Sequence, residues 1–135
     1  MAKKSRVLDS WGLMALFEGE EPAAGKMEEI LAEAHETGSP LLMTTVNLGE
    51  IWYSSARAKS ESVADERVSD VLKLGVELIS ADWAMTRQAA HYKSMGGISY
   101  ADCFGLALAK MRKAELVTGD SEFKPFQGEV KILWL

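Results

Sequence analysis

At 135 residues, 47% of them hydrophobic and 26% charged, the chain has the composition of one packed globular domain spanning residues 1 to 135, able to bury roughly two-thirds of its unfolded surface. Its 15 Lys and Arg against 20 Asp and Glu give a formal net charge of -5, which argues against nonspecific gathering of a polyanion. One cysteine, Cys103, excludes an internal disulfide and a thiolate zinc cluster, and the longest apolar stretch, around Leu41 to Leu48, is too short and too polar to span a bilayer.

Met1 to Ser10 lacks the apolar core of a signal peptide, so a cytoplasmic protein with no membrane contact is expected. Ser5 to Asp9 reads as a short strand running into a helical pattern at Trp11, Leu13, Met14, Leu16 and Phe17. Glu18 to Gly25 interrupts that pattern. Lys26 to Glu36 then repeats apolar residues at Met27, Ile30, Leu31 and Ala34, an amphipathic helix closed by Gly38 and Pro40. Leu41 to Thr44 reads as the second strand, and Thr45 as the cap of a helix carrying Val46, Ile51, Trp52 and Ala56. A further helix from about Val63 to Leu74 stops at Gly75, and Val76 to Ile79 forms the third strand. Ser80 is placed to cap a helix reaching about Ser94, which Gly96 and Gly97 end; Ser99 caps another to about Lys113. Glu115 to Thr118 and Val130 to Leu133 complete five strands.

Strands joined by helical crossovers imply an α/β protein, a three-layer α/β/α arrangement around a central, mostly parallel five-stranded sheet. Ligands bind such sheets beyond the carboxyl ends of their strands. Four acids fall near such positions: Asp9 after the first strand, Asp120 after the fourth, Glu50 early in the helix after the second, and Asp102 in the first turn of the helix before the fourth. Each has an ordinary structural reading. Asp102 follows Ser99 by three residues, as in a capping box; Asp120 could set a turn, and Glu50 could face solvent. Asp82, two residues after Ser80, is sufficiently explained by the helix dipole.

Together the four acids are harder to explain. Two carboxylates about 6 Å apart repel by roughly 3 kcal/mol at an effective dielectric near 20, so a converged set calls for a cation. Oxygen ligands without His or Cys suit magnesium or manganese, whose common work is phosphoryl chemistry. His35 and His91 lack acidic or Cys companions at ligand spacing, and Cys103 sits on an apolar helix face. A basic rim drawn from Arg57, Lys59, Arg87, Lys93, Lys110, Arg112 and Lys113 could offset the chain's acidity.

Val7-Leu8-Asp9-Ser10, Thr44 to Glu50, Ser99-Tyr100-Ala101-Asp102 and Leu116-Val117-Thr118-Gly119-Asp120-Ser121-Glu122-Phe123 make the chain resemble the PIN-domain ribonucleases. Within that family it is most similar to the VapC-type toxins of toxin-antitoxin pairs. The resemblance implies a metal-dependent endoribonuclease, with Asp9, Glu50, Asp102 and Asp120 as catalytic acids and ligands of Mg2+ or Mn2+. It also implies Thr118 as a supporting hydroxyl and Glu122 as an extra acid, an RNA substrate, a homodimer and a small antitoxin; Trp11, Phe17, Trp52 and Tyr53 read first as core, and any that stay exposed would form the groove in which that antitoxin docks. Two rivals are a noncatalytic module that holds a structural cation or basic peptide in the acidic pocket, and a haloacid-dehalogenase-like phosphatase with Asp9 as nucleophile. Trp11, where that pattern needs an aspartate, counts against the second.

Overall fold

The apolar runs at the predicted strands assemble, in the computed structural model, into one five-stranded sheet; the structure describes residues 4 to 135. The strands are β1 (Arg6–Leu8), β2 (Leu41–Thr44), β3 (Val76–Ile79), β4 (Glu115–Thr118) and β5 (Ile132–Trp134). Their order is β3-β2-β1-β4-β5, and every pairing is parallel. β2 and β4 are buried at all four positions, as expected of inner strands covered on both faces.

Alternation along the strands divides the core between the two faces. Val7, Leu42 and Leu116 pack with Met85, Ala89, Tyr92, Phe104, Leu108 and Phe123 on one side. Leu8, Met43 and Val117 pack with Leu13, Met27, Ile30, Ile51 and Val71 on the other. The helices supplying these layers are α1 (Ser10–Glu18), α2 (Ala23–Thr37), α3 (Thr45–Ala58), α4 (Glu61–Lys73), α5 (Trp83–Ser94) and α6 (Tyr100–Arg112). Among the described residues, no helix is long and apolar enough to cross a membrane.

Two predicted caps move. Thr44, not Thr45, caps α3, its side chain accepting from Asn47 N. The strand continues to Thr44 in extended backbone, and Thr45 Oγ1 instead accepts from Ala81 N at 3.3 Å, tying α3 to the loop before α5. Asp82, not Ser80, caps α5 by accepting from Met85 N at 2.9 Å. Helices α2 and α4 start a turn or less before their predicted beginnings, α4 from the Ser60 cap. β5 runs two residues later than expected at its start, over Ile132–Trp134, with Val130 in the core and Lys131 O accepting from Leu116 N as the chain joins β4.

Chain order dictates where a site can form. From central β1 the chain steps outward through β2 to β3, then crosses back to place β4 on the other side of β1. The switch point therefore lies between β1 and β4. Leu8 pairs with Val117, so Asp9 leaves the sheet level with Thr118, two residues before Asp120.

Candidate metal centre

Asp9 follows the last residue of β1 and caps α1, its Oδ1 accepting from Gly12 N at 3.3 Å. Its Oδ2 accepts from Thr118 Oγ1 at 2.5 Å, and that hydroxyl oxygen accepts from Asp120 N at 3.1 Å. Thr118 thus links the ends of the two strands that flank the switch point. Asp120 Oδ1 accepts from Glu122 N at 2.9 Å and opens a 3-10 turn over Ser121–Phe126, which the sequence pattern does not announce. That turn carries Glu122 to the cleft. Asp102 stands in the first turn of α6, capped by Ser99, and Gly105 on the same helix faces Asn47 and Asp9.

The carboxylates of Asp102, Asp120 and Glu122 offer oxygens that all lie within 4.8 Å of one another. They line a cleft of about 400 Å³ together with Glu50, Ser10 and Trp11. Asp9 is fully buried beneath it. Glu50, half-buried, takes hydrogen bonds on Oε1 from Ser10 Oγ at 2.7 Å and Asn47 Nδ2 at 3.2 Å. All four predicted acids and Glu122 therefore gather at one sheet edge, at different depths.

This gathering is electrostatically costly. Burial pushes the Asp9 carboxyl up from 3.8 to about 7 against the lowering effect of the Thr118 and Gly12 hydrogen bonds, with Asp120 and Glu50 adding repulsion. Burial also raises Asp102, to about 8, helped by a hydrogen bond shared with Glu122 and by the charges of Asp9, Asp120 and Glu50. Near neutral pH the cluster thus retains protons that isolated carboxyls would lose. A hard divalent cation fits this oxygen donor set, because it replaces those protons as counter-charge.

Gly119 separates Thr118 from Asp120 for a steric reason. A Cβ there would lie 2.2 to 2.8 Å from three carbons of the Trp11 indole, which closes over the turn beside the acids. Gly119→Ala is expected to lower stability by about 1–3 kcal/mol in urea unfolding, since the ring must leave its position. Adding Trp11→Ala should recover most of that loss; a penalty unchanged in the double variant would show that the ring is not its cause.

The remaining candidates lie elsewhere. His35 and His91 are exposed, whereas Cys103 is fully buried with its thiol pushed up to about 11, chiefly by burial. Lys110 and Lys113 line a different cleft with Lys4 and Lys131 at the start of β4, so they cannot rim the acids. They stand at the opposite end of α6 from Asp102, roughly 12 to 17 Å along its axis. Of the four aromatics, Trp11 touches the cleft, Arg67 stacks over Phe17, Trp52 Nε1 donates to Asp65, and Tyr53 is exposed. Asn47 and Ser10 are not among the residues that the sequence singles out, although Thr44, Asn47 and Glu50 recur at the three-residue spacing of one helix face.

A parallel sheet with carboxylates converging beyond its central strands defines a class of α/β proteins with an acidic cleft at the topological switch point. The family model described as "PIN domain" matches residues 6–128, and the chain belongs to that family. Solved structures agree in fold. VapC20 of Mycobacterium tuberculosis, described as a sarcin-ricin loop cleaving toxin, is 16% identical with a TM-score of 0.72, over 90% of this chain and 94% of that one. VapBC2 of Rickettsia felis, bound to a DNA fragment from its promoter, is 14% identical with a TM-score of 0.71, over 97% and 98%. VapBC-1 of nontypeable Haemophilus influenzae is 16% identical with a TM-score of 0.70, over 96% and 97%. No curated protein matches the chain significantly in sequence.

Proposed function

We propose that the chain is a divalent-metal-dependent endoribonuclease, the toxin of a toxin-antitoxin pair. The observation that carries this reading is the convergence of Asp102, Asp120 and Glu122 within 4.8 Å over buried Asp9, at the switch point of a PIN domain. Asp102, Asp120 and Glu122 would hold Mg2+ or Mn2+, with Asp9 supplying charge from beneath and Glu50 from the side. A divalent cation bound there supplies a water of lowered pKa and charge neutralisation at the scissile phosphate. The protein's own groups orient the reaction. Ser10 and Asn47 fix Glu50 Oε1, which gives the cleft wall a carboxylate of defined direction to accept a proton from the attacking water. Thr118 keeps Asp9 and the Asp120 backbone at constant spacing.

RNA is favoured as substrate by the likeness to VapC20, and an antitoxin partner by the likeness to VapBC assemblies. A homodimer and a cytoplasmic location belong to the same reading. Antitoxin-free protein incubated with single-stranded and structured RNA should cut internally when Mg2+ or Mn2+ is added and stop when the cation is chelated. Asp9→Asn should remove that activity. Cleavage that survives both chelation and Asp9→Asn overturns the proposal; tight cation binding without cleavage of any RNA would indicate the noncatalytic module.

A further inference from the structure

Asn47 is a fully buried polar residue whose side chain bonds to the cap of its own helix, to Glu50 and to α6. Its Oδ1 accepts from Thr44 Oγ1 at 2.6 Å, at the end of β2. Its Nδ2 donates to Glu50 Oε1 at 3.2 Å and to Ala101 O at 3.1 Å. Ala101 immediately precedes Asp102, so one amide touches the strand end, the Glu50 carboxylate and the helical turn that carries a second cleft acid. Gly105 of α6 packs beside this amide, a Cβ built there lying in ordinary contact, 3.4 Å from Asn47 Oδ1.

An amide suits this position because it supplies two donors and an acceptor in one plane. An aspartate would present acceptors to both Glu50 and the Ala101 carbonyl, and a leucine would offer neither contact. We propose that Asn47 is a positioning residue: its amide, anchored to the Ala101 carbonyl, sets the direction of the Glu50 carboxylate relative to Asp102 and so tunes cation affinity and turnover. The inference rests on reading the cleft as a divalent-cation site.

The test is a double-mutant cycle on Mn2+ affinity, followed by electron paramagnetic resonance of free Mn2+, with RNA cleavage measured in parallel. Asn47→Leu should weaken Mn2+ binding by about tenfold or more and lower kcat to a similar degree. In the Glu50→Gln background, Asn47→Leu should change Mn2+ affinity by less than about twofold, because the carboxylate it directs is already gone. Unchanged affinity and cleavage in the single variant, or losses that add in the double variant, overturn the proposal. Should Asn47→Leu fail to fold by circular dichroism, Asn47→Asp replaces it in the same cycle, since it keeps the side chain's shape and the acceptor for Thr44. Loss of fold in both variants assigns Asn47 to structure alone and also overturns the proposal. Wild-type protein that neither binds Mn2+ nor cuts RNA overturns the cation-site reading and this proposal together, whereas normal wild-type behaviour with additive losses overturns only the latter.

Discussion

Asp102→Asn is expected to abolish RNA cleavage while making the cation-free protein more stable. Asp102 is 6% exposed, and burial, the Glu122 hydrogen bond and three neighbouring acids all favour its protonated form, with the carboxyl at about 8. Asparagine has the same shape as that neutral acid and can donate to Glu122 as it does, but carries no charge at any pH. The substitution also spares the local helix start, because the Ser99 hydroxyl accepts from the backbone N–H of residue 102 rather than from its side chain. At pH 8.5, above that value, thermal unfolding should therefore shift upward by roughly 10 °C. Cleavage should fall by roughly a hundredfold or more, because the cluster loses one of the three carboxylates whose oxygens lie within 4.8 Å of one another. Calorimetry and a cleavage assay on one preparation check both halves. A lowered melting temperature with activity retained would mean that Asp102 serves the helix and not the site.

The same physics shows which parts of the molecule were readable from the sequence. Leu41 to Thr44, Val76 to Ile79 and Glu115 to Thr118 have the boundaries expected of them, because each is a short apolar-rich run closed by a capping or turn residue. Acids that follow strands in a parallel sheet share an edge by geometry, which is why Asp9 and Asp120 were legible. Depth was not legible. Asp9 lies beneath the cleft and Glu122 in its lining because Thr118 clasps one and the 3-10 turn lifts the other, and both depend on tertiary contacts. The Thr45 and Ser80 caps failed for a smaller reason: Thr44 and Asp82 are equally good acceptors one or two positions away, and the backbone path decides between them. A basic rim including Lys110, Arg112 and Lys113 required the two ends of α6 to be one place. Asn47 went unassigned because a buried amide leaves no compositional mark until its partners on α6 are known.

Stability of the cation-free chain should fall as pH rises from 5 to 8.5, and saturating Mg2+ should remove or reverse the fall. In the fold Asp9 titrates at about 7 and Asp102 at about 8, each above the 3.8 of an unperturbed aspartate. The unfolded chain therefore releases these two protons at lower pH than the folded chain does. Their contribution to stability is complete below about pH 4 and is lost as pH climbs through 7 and 8. For Asp9 alone the interval from 3.8 to about 7, at 1.36 kcal/mol per pH unit, corresponds to about 4 kcal/mol. A loss of that order lowers the melting temperature by roughly 10 °C in a domain of this size. Surface carboxylates have finished titrating by pH 6, so the upper part of the slope belongs to the buried cluster. A divalent cation competes with the same protons, binding more tightly as they leave, so its stabilisation should grow over the pH range in which the cation-free protein weakens. Differential scanning calorimetry at half-unit pH steps, with and without Mg2+, separates the two effects. Asp102→Asn should flatten the cation-free profile in the same experiment. A wild-type profile already flat between pH 6 and 8.5 would show that the buried acids ionise without cost, and would remove the electrostatic case for a cation at this edge of the sheet.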